Sequence, residues 1–156
     1  MGKVKIVPLI VSFLIIILMA YAGSFFTNLG TSSDWYQQIK PDITPPNFVF
    51  PIVWTILFVL IAISLYLTWT GSEEEDKIRV AWIFGFNFAL NILWSALFFG
   101  LRNPVFAFIE IIVLWISIWM MFFISWKINK IASWLLVPYL VWIAFASVLT
   151  GLVAFA

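Results

Sequence analysis

Five long apolar runs dominate this chain, and each is long enough to cross a bilayer. They extend from Ile6 to Asn28, Phe48 to Thr70, Val80 to Gly100, Pro104 to Trp126 and Ser133 to Phe155. A spanning helix needs about 20 apolar residues at ~1.5 Å each, so little chain is left over. Hydrophobic residues make up 65% of the sequence and charged residues 10%. A water-soluble domain of this size could not hide that much apolar surface. Backbone groups in lipid must be satisfied within the segment, which makes these runs helices. The expected fold is an all-α integral membrane protein. It comprises one domain over residues 1–156, a five-transmembrane-helix bundle with a structured loop between its first two helices.

The breaks between runs are readable. Gly71 followed by Glu73, Glu74, Glu75 and Asp76 cannot lie in hydrocarbon. Asn103-Pro104 is a helix start, with Asn as cap and Pro at the first helical position. Lys127 and Lys130 close the fourth run, Ser133 can cap the fifth, and Pro138 inside the fifth should bend it. The first run follows Lys3 and Lys5 and ends near Ala20-Tyr21-Ala22, which resembles a cleavage site. It is longer than a signal core, so it is expected to stay as a helix. Gly2 follows Met1, but Ile6 occupies the position where a myristoylation signal wants Ser or Thr. Lys3, Lys5, Lys77, Arg79, Lys127 and Lys130 fall on one side of the membrane, and Lys40 and Arg102 on the other. The positive-inside rule then places the N-terminus in the cytoplasm and the first loop outside.

Neither cysteine nor histidine occurs. Disulfides, Cys/His zinc sites, thiolate catalysis and histidine acid–base chemistry are therefore excluded. The two commonest axial ligands of haem iron are missing too, so a tetrapyrrole would be held mainly by stacking and packing. No metal site and no obligatory cofactor are expected. Net charge is +1, and nothing suggests nucleic acid.

Four features point to a ligand site. Trp35-Tyr36, Lys40-Pro41, Pro45-Pro46, Pro51 and Trp54-Thr55 make a proline-stiffened aromatic loop that runs straight into the second helix, a good lid over a cavity. In the third run Asn87, Asn91, Trp94, Ser95 and Phe98 share one helical face, while Gly85, Ala89, Ala96 and Gly100 share the opposite one. Intramembrane asparagines need partners and should face inward; the small face suits close approach of another helix, and a second subunit is expected there. In the fifth run Trp142, Phe145, Ala146, Leu149 and Thr150 form a stripe. Glu110 is the only charge deep within a run, either a functional carboxyl or a neutral Glu bonded to a neighbouring helix, with Tyr21 or Ser24 as candidate partners. Trp35, Trp69, Trp82, Trp126 and Trp134 lie near run ends, where an interfacial aromatic belt accounts for most of them.

Together the anchors resemble the translocator protein (TspO/MBR) family, also called tryptophan-rich sensory proteins. The matches are Trp35-Tyr36, Lys40-Pro41, Pro45-Pro46 and Val53-Trp54-Thr55; then Asn91, Trp94-Ser95 and Phe98-Phe99-Gly100; then Leu135-Leu136, Pro138-Tyr139, Trp142 and Phe145-Ala146. The resemblance implies a homodimeric five-helix bundle in a bacterial or mitochondrial membrane, here a bacterial cell membrane. It implies a pocket under the first loop that binds porphyrins such as protoporphyrin and haem, and related flat hydrophobic molecules. Trp54 and Trp142 match pocket tryptophans linked in bacterial members to light-dependent porphyrin breakdown, and would be catalytic only there. Asn87 and Asn91 match polar pocket positions, Ala146 a residue that influences affinity, and Glu110 a position that is acidic in some relatives. Trp35, Pro45, Phe58, Trp94, Phe98 and Phe145 complete the expected ligand-binding set. The chain departs from the pattern at Ile43, where the loop often has tryptophan, and at Thr150, where asparagine is common. Its tail lacks the Tyr and Arg of the cholesterol motif, which argues against a sterol ligand.

The leading expectation is a membrane ligand-binding sensor or regulator for porphyrins. The alternatives are a transporter of tetrapyrroles or other small hydrophobic molecules, a light-dependent porphyrin-degrading activity, and a structural protein that pairs through the small face of the third helix. The chain has no internal repeat of the kind many secondary carriers show.

Overall fold

The computed structural model describes residues 4–156. Gly2 and Lys3, weighed above for lipidation and orientation, lie outside the described residues. The helices are α1 (Ile6–Thr31), α2 (Asp34–Ile39), α3 (Val49–Gly71), α4 (Glu74–Ser95), α5 (Pro104–Ile128), α6 (Lys130–Trp134) and α7 (Val137–Ala154). A π-helical turn, Ala96–Gly100, continues α4. Five helical runs are long and apolar enough to cross a membrane: α1, α3, α4 with its π turn, α5, and α6 with α7. The protein is an all-α integral membrane bundle.

Apolar side chains fill the interior and also cover the outside, so burial does not sort residues as it does in water. Leu18, Ile109 and Val141 are exposed and face lipid, while Ser64, Thr68, Asn87, Ser117, Ser125 and Ser133 are buried. In lipid a buried hydroxyl must find an acceptor, so these groups tie helices together. Ser64 Oγ donates to the Ala132 carbonyl at 2.8 Å, and Thr68 Oγ1 donates to Ser125 Oγ at 2.9 Å. Ser133 Oγ donates to the Phe122 carbonyl at 3.0 Å. These bonds close one end of the bundle around α3, α5 and α6. Along the bundle α1 packs on α3, α4 and the π turn, and α5 packs on α4 and α7, while α3 meets the last span chiefly through α6, at the closed end.

Several local expectations are corrected. The third helix begins at Glu74 rather than Val80: Glu74, Glu75 and Asp76 form the first turn of α4, where carboxylates complement the helix dipole. Glu74 pairs with Lys77, and Asp76 with Arg79 at 3.3 Å. The last span is not one bent helix. It breaks at Leu135–Leu136, and Pro138 lies in the first turn of α7, where its missing N–H costs no intrahelical bond. Ser133 is not its cap; Asn129 is, its Oδ1 accepting from the N–H of Ile131 at 3.0 Å and Ala132 at 3.2 Å. Asn103 does cap α5, accepting from Phe106 N–H at 3.1 Å. The first loop holds its own helix, α2, capped by Ser33 Oγ, which accepts from Tyr36 N–H at 3.3 Å.

The π turn sets what the third span presents. Its extra residue per turn shifts the helical phase. Gly85 and Ala89 stay exposed, and a Cβ built on Gly85 would meet nothing within 4 Å. Ala96 turns half inward, and Gly100 turns toward α1, where a Cβ would sit 3.1 Å from Phe26 Cδ1. The small face is thus split. On α1, Gly30 accommodates Phe99: a Cβ there would lie 2.6 Å from Phe99 Cβ, so a larger residue cannot pack without moving the π turn.

A candidate ligand cavity beneath the first loop

A cavity of about 620 Å³ lies between the spans at the end where the first loop returns. Trp54 and Phe58 of α3, Trp94 and Phe98 of the third span, and Trp142 and Ala146 of α7 all line it, with Asn91 of α4 deeper in. Two turns of α5 contribute Ile111 and Leu114. The loop covers it with Tyr36, Pro41, Thr44 and Asn47. Tyr21 and Ser24 of α1 and Thr55 of α3 line it while remaining exposed, so it also opens sideways between those two helices.

The aromatic rings support one another. Trp54 leans on Phe58 with centroids 5.2 Å apart and meets Tyr139 edge-on at 6.3 Å. Trp94 stacks on Phe98 at 5.2 Å and 16°. Trp142 meets Phe50 edge-on at 5.8 Å. Such pairs contribute about 0.5–1.5 kcal/mol each beyond area burial, which holds the indoles in place. Among the described lining residues none is Asp, Glu, Lys or Arg. The polar groups are amides and hydroxyls, with Asn28, Thr31, Thr44 and Asn47 toward the loop and Asn91 and Ser95 within. Among the described residues no three His, Cys, Asp or Glu cluster as metal ligands.

Five of the residues expected in the site are elsewhere. Trp35 buttresses the wall from behind, edge-on to Phe98 at 5.8 Å, with the Arg102 guanidinium 5.8 Å over its ring. Pro45 lies in the loop, but its neighbour Thr44 does the lining. Phe145 is one position round from Ala146, its ring 5.8 Å from Trp142. Asn87 is fully buried one turn from Asn91 and is spent on other helices: its Nδ2 donates to Ser117 Oγ at 2.8 Å. Glu110 is one position round from Ile111 and is buried. Neither of its carboxyl oxygens has a hydrogen-bond partner among the described residues. Tyr21 and Ser24, its expected partners, face the cavity instead, and Ser24 Oγ donates to the Tyr21 carbonyl at 2.9 Å.

The whole α1 wall was missed by sequence reasoning. Gly23, Thr27 and Thr31 recur every fourth residue in an otherwise apolar helix, as do Ala20, Ser24 and Asn28. That small and polar stripe was the available signal. Tyr36, in sequence one aromatic of the first loop, is buried at the lid against Phe99 at 5.5 Å, and burial pushes its phenol pKa up.

The TspO/MBR family model matches residues 11–155. The tryptophan-rich protein TspO of Archaeoglobus fulgidus is 42% identical over 93% of this chain and 94% of its own length. A protein of the same name from Chlorobaculum tepidum is 37% identical over 84% of each chain. The translocator protein of Sus scrofa is 30% identical over 85% of this chain and 82% of its own length. A family match over nearly the whole length, together with relatives of 30–42% identity that cover most of both chains, places this chain in the TspO/MBR family.

Proposed function

We propose that this membrane protein is a ligand-binding sensor or regulator that takes porphyrin-like molecules, protoporphyrin or haem, into the cavity under its first loop. One observation carries the reading: indoles from three separate spans, Trp54, Trp94 and Trp142, converge on one cavity. Its volume of about 620 Å³ lies within the ~300–1,000 Å³ usual for small-molecule sites. With no charge in the lining, the flat apolar macrocycle fits inside and its carboxylates belong at the mouth, where exposed Lys40 precedes Pro41. Protoporphyrin added to purified protein in the dark should quench indole emission saturably, one ligand per chain. Quenching that never saturates overturns the reading. Parallel illuminated samples test photochemical breakdown, with Trp54 and Trp142 as the reacting indoles; absorption spectra identical to the dark samples eliminate it.

We further infer a cytoplasmic N-terminus in a bacterial cell membrane, and a homodimer through the exposed Gly85 and Ala89 of α4. Lys5, Lys77, Arg79, Lys127 and Lys130 cluster at the helix ends opposite the first loop, which is the support for orientation. The chain has no cysteine, so single replacements report both points. Asp42→Cys should react with an impermeant maleimide from outside, Glu75→Cys only after permeabilisation, and Gly85→Cys should cross-link into dimers. The reverse labelling, or no cross-linked dimer in membranes, refutes the corresponding inference.

A further inference from the structure

The outer side of α5 carries an aromatic run that the cavity does not use. Trp115 meets Trp119 edge-on at 5.8 Å, and Trp119 stacks on Phe123 at 5.7 Å. Trp119 also meets Phe122 at 5.6 Å, and Phe122 stacks on Trp126 at 5.7 Å. Trp134 of α6 continues the run, its ring 6.2 Å from Trp126. Phe123, Trp126 and Trp134 are exposed, and none of the six rings lines the cavity. From Trp115 to Trp126 the run rises about 16 Å at ~1.5 Å per residue, half of the ~30 Å hydrocarbon core. It therefore spans the depth of one leaflet.

Two exposed lysines stand at the interfacial end of that run. Lys127 lies in the last turn of α5 and Lys130 opens α6, on either side of the cap Asn129. Lys130 Nζ lies 5.3 Å from the centroid of the Trp126 ring, which rests the ammonium on the indole and leaves N–H groups for an anion. Lys77 and Arg79, at the same end, are already paired with Glu74 and Asp76. Among the described residues neither Lys127 nor Lys130 has an ion-pair partner, although the acidic connection passes close by, with Gly71 against Ile128. We propose that Lys127, Lys130 and the aromatic run form a site for one anionic phospholipid, its phosphate on the two ammonium groups and an acyl chain along the rings. A lipid suits this face better than a second copy of the chain. Close helix approach wants small residues, whereas these are bulky, and two unpaired cations call for an anion.

The test uses the full chain in neutral detergent, titrated with phosphatidylglycerol or phosphatidylcholine of matched chains and read by native mass spectrometry. Phosphatidylglycerol should bind roughly tenfold more tightly, the order expected for two interfacial basic charges. Lys127→Gln with Lys130→Gln should abolish that ratio. Lys77→Gln with Arg79→Gln removes the same charge from the same end and should leave it unchanged. Inorganic phosphate should not displace the lipid. In vesicles, chain-brominated phosphatidylglycerol should quench indole emission more than chain-brominated phosphatidylcholine at equal content. Trp119→Phe with Trp126→Phe keeps rings in the run and should remove that excess. Equal affinity for the two lipids, an equal loss of the ratio in both double variants, displacement by phosphate, or excess quenching that survives the indole replacements overturns the proposal. So does loss of a dimer, rather than of a lipid, in the lysine variant, which gives this face to a second copy of the chain.

Discussion

Replacing Trp54 and Trp142 together by leucine is expected to weaken protoporphyrin binding about a hundredfold, roughly 3 kcal/mol. Both indoles line the cavity, and an aromatic pair contributes about 0.5–1.5 kcal/mol beyond the area it buries. Leucine restores part of the apolar area but none of the ring. The cost to folding should be small, because both indoles are only partly buried and neither belongs to the closed end of the bundle. Single changes to phenylalanine keep a ring and should cost less than about fivefold, close to 1 kcal/mol. Trp126 and Trp134 provide the control. They pair at the far end, centroids 6.2 Å apart, and their double replacement should leave affinity within about twofold, under 0.5 kcal/mol. Dark fluorescence titrations of the unaltered chain and each variant decide it. An unchanged affinity in the double leucine variant removes the indole grip from the mechanism.

The spans and the α5 cap were legible because the bilayer is a demanding solvent. It permits only continuous apolar helices, and Asn103-Pro104 interrupts them with a known cap. Which face of each helix looks inward was legible only where a polar or large aromatic residue marks it. Trp54, Trp94, Asn91 and Trp142 carried such marks. On α1 the mark was a stripe of Gly, Ala, Ser and Thr, easily lost in a helix apolar all round. Where lipid replaces water on the outside, hydrophobic periodicity stops separating inside from outside. The π turn defeats sequence periodicity for another reason. A 3.6-residue period assigns Ala96 and Gly100 to the face of Gly85, while past the wider turn Gly100 lies against Phe26 of α1. The break at Leu135–Leu136 was invisible because the residues are apolar, and only the proline after them hinted at it.

Glu110 shows how one helical position changes a prediction. From the sequence alone the carboxyl is either part of the ligand site or a neutral Glu bonded to a neighbouring helix. In the structure Ile111 takes the lining position, and Glu110 sits buried beside it with both oxygens unpartnered. The Asn87–Ser117 bond sets the register of α4 against α5. Seven residues on from Asn87 and seven back from Ser117, Trp94 and Glu110 come level. Trp94 Nε1 is likewise buried without a partner, and the two groups share no hydrogen bond. A buried polar group left unmade costs about 1–3 kcal/mol, and an apolar side chain of similar size removes that cost. Glu110→Leu is therefore expected to raise the melting temperature by about 3–8 °C, since each kcal/mol moves a chain of this size by ~2–4 °C. Glu110→Gln keeps two polar atoms in the same place and should gain much less. Protoporphyrin affinity should stay within about twofold in both variants, less than 0.5 kcal/mol. Thermal melts followed by intrinsic fluorescence, with one titration per variant, measure both quantities. A leucine variant that melts lower and binds tenfold worse would return the carboxyl to the site, acting through Trp94, a lining side chain level with it whose Nε1 has no partner among the described residues.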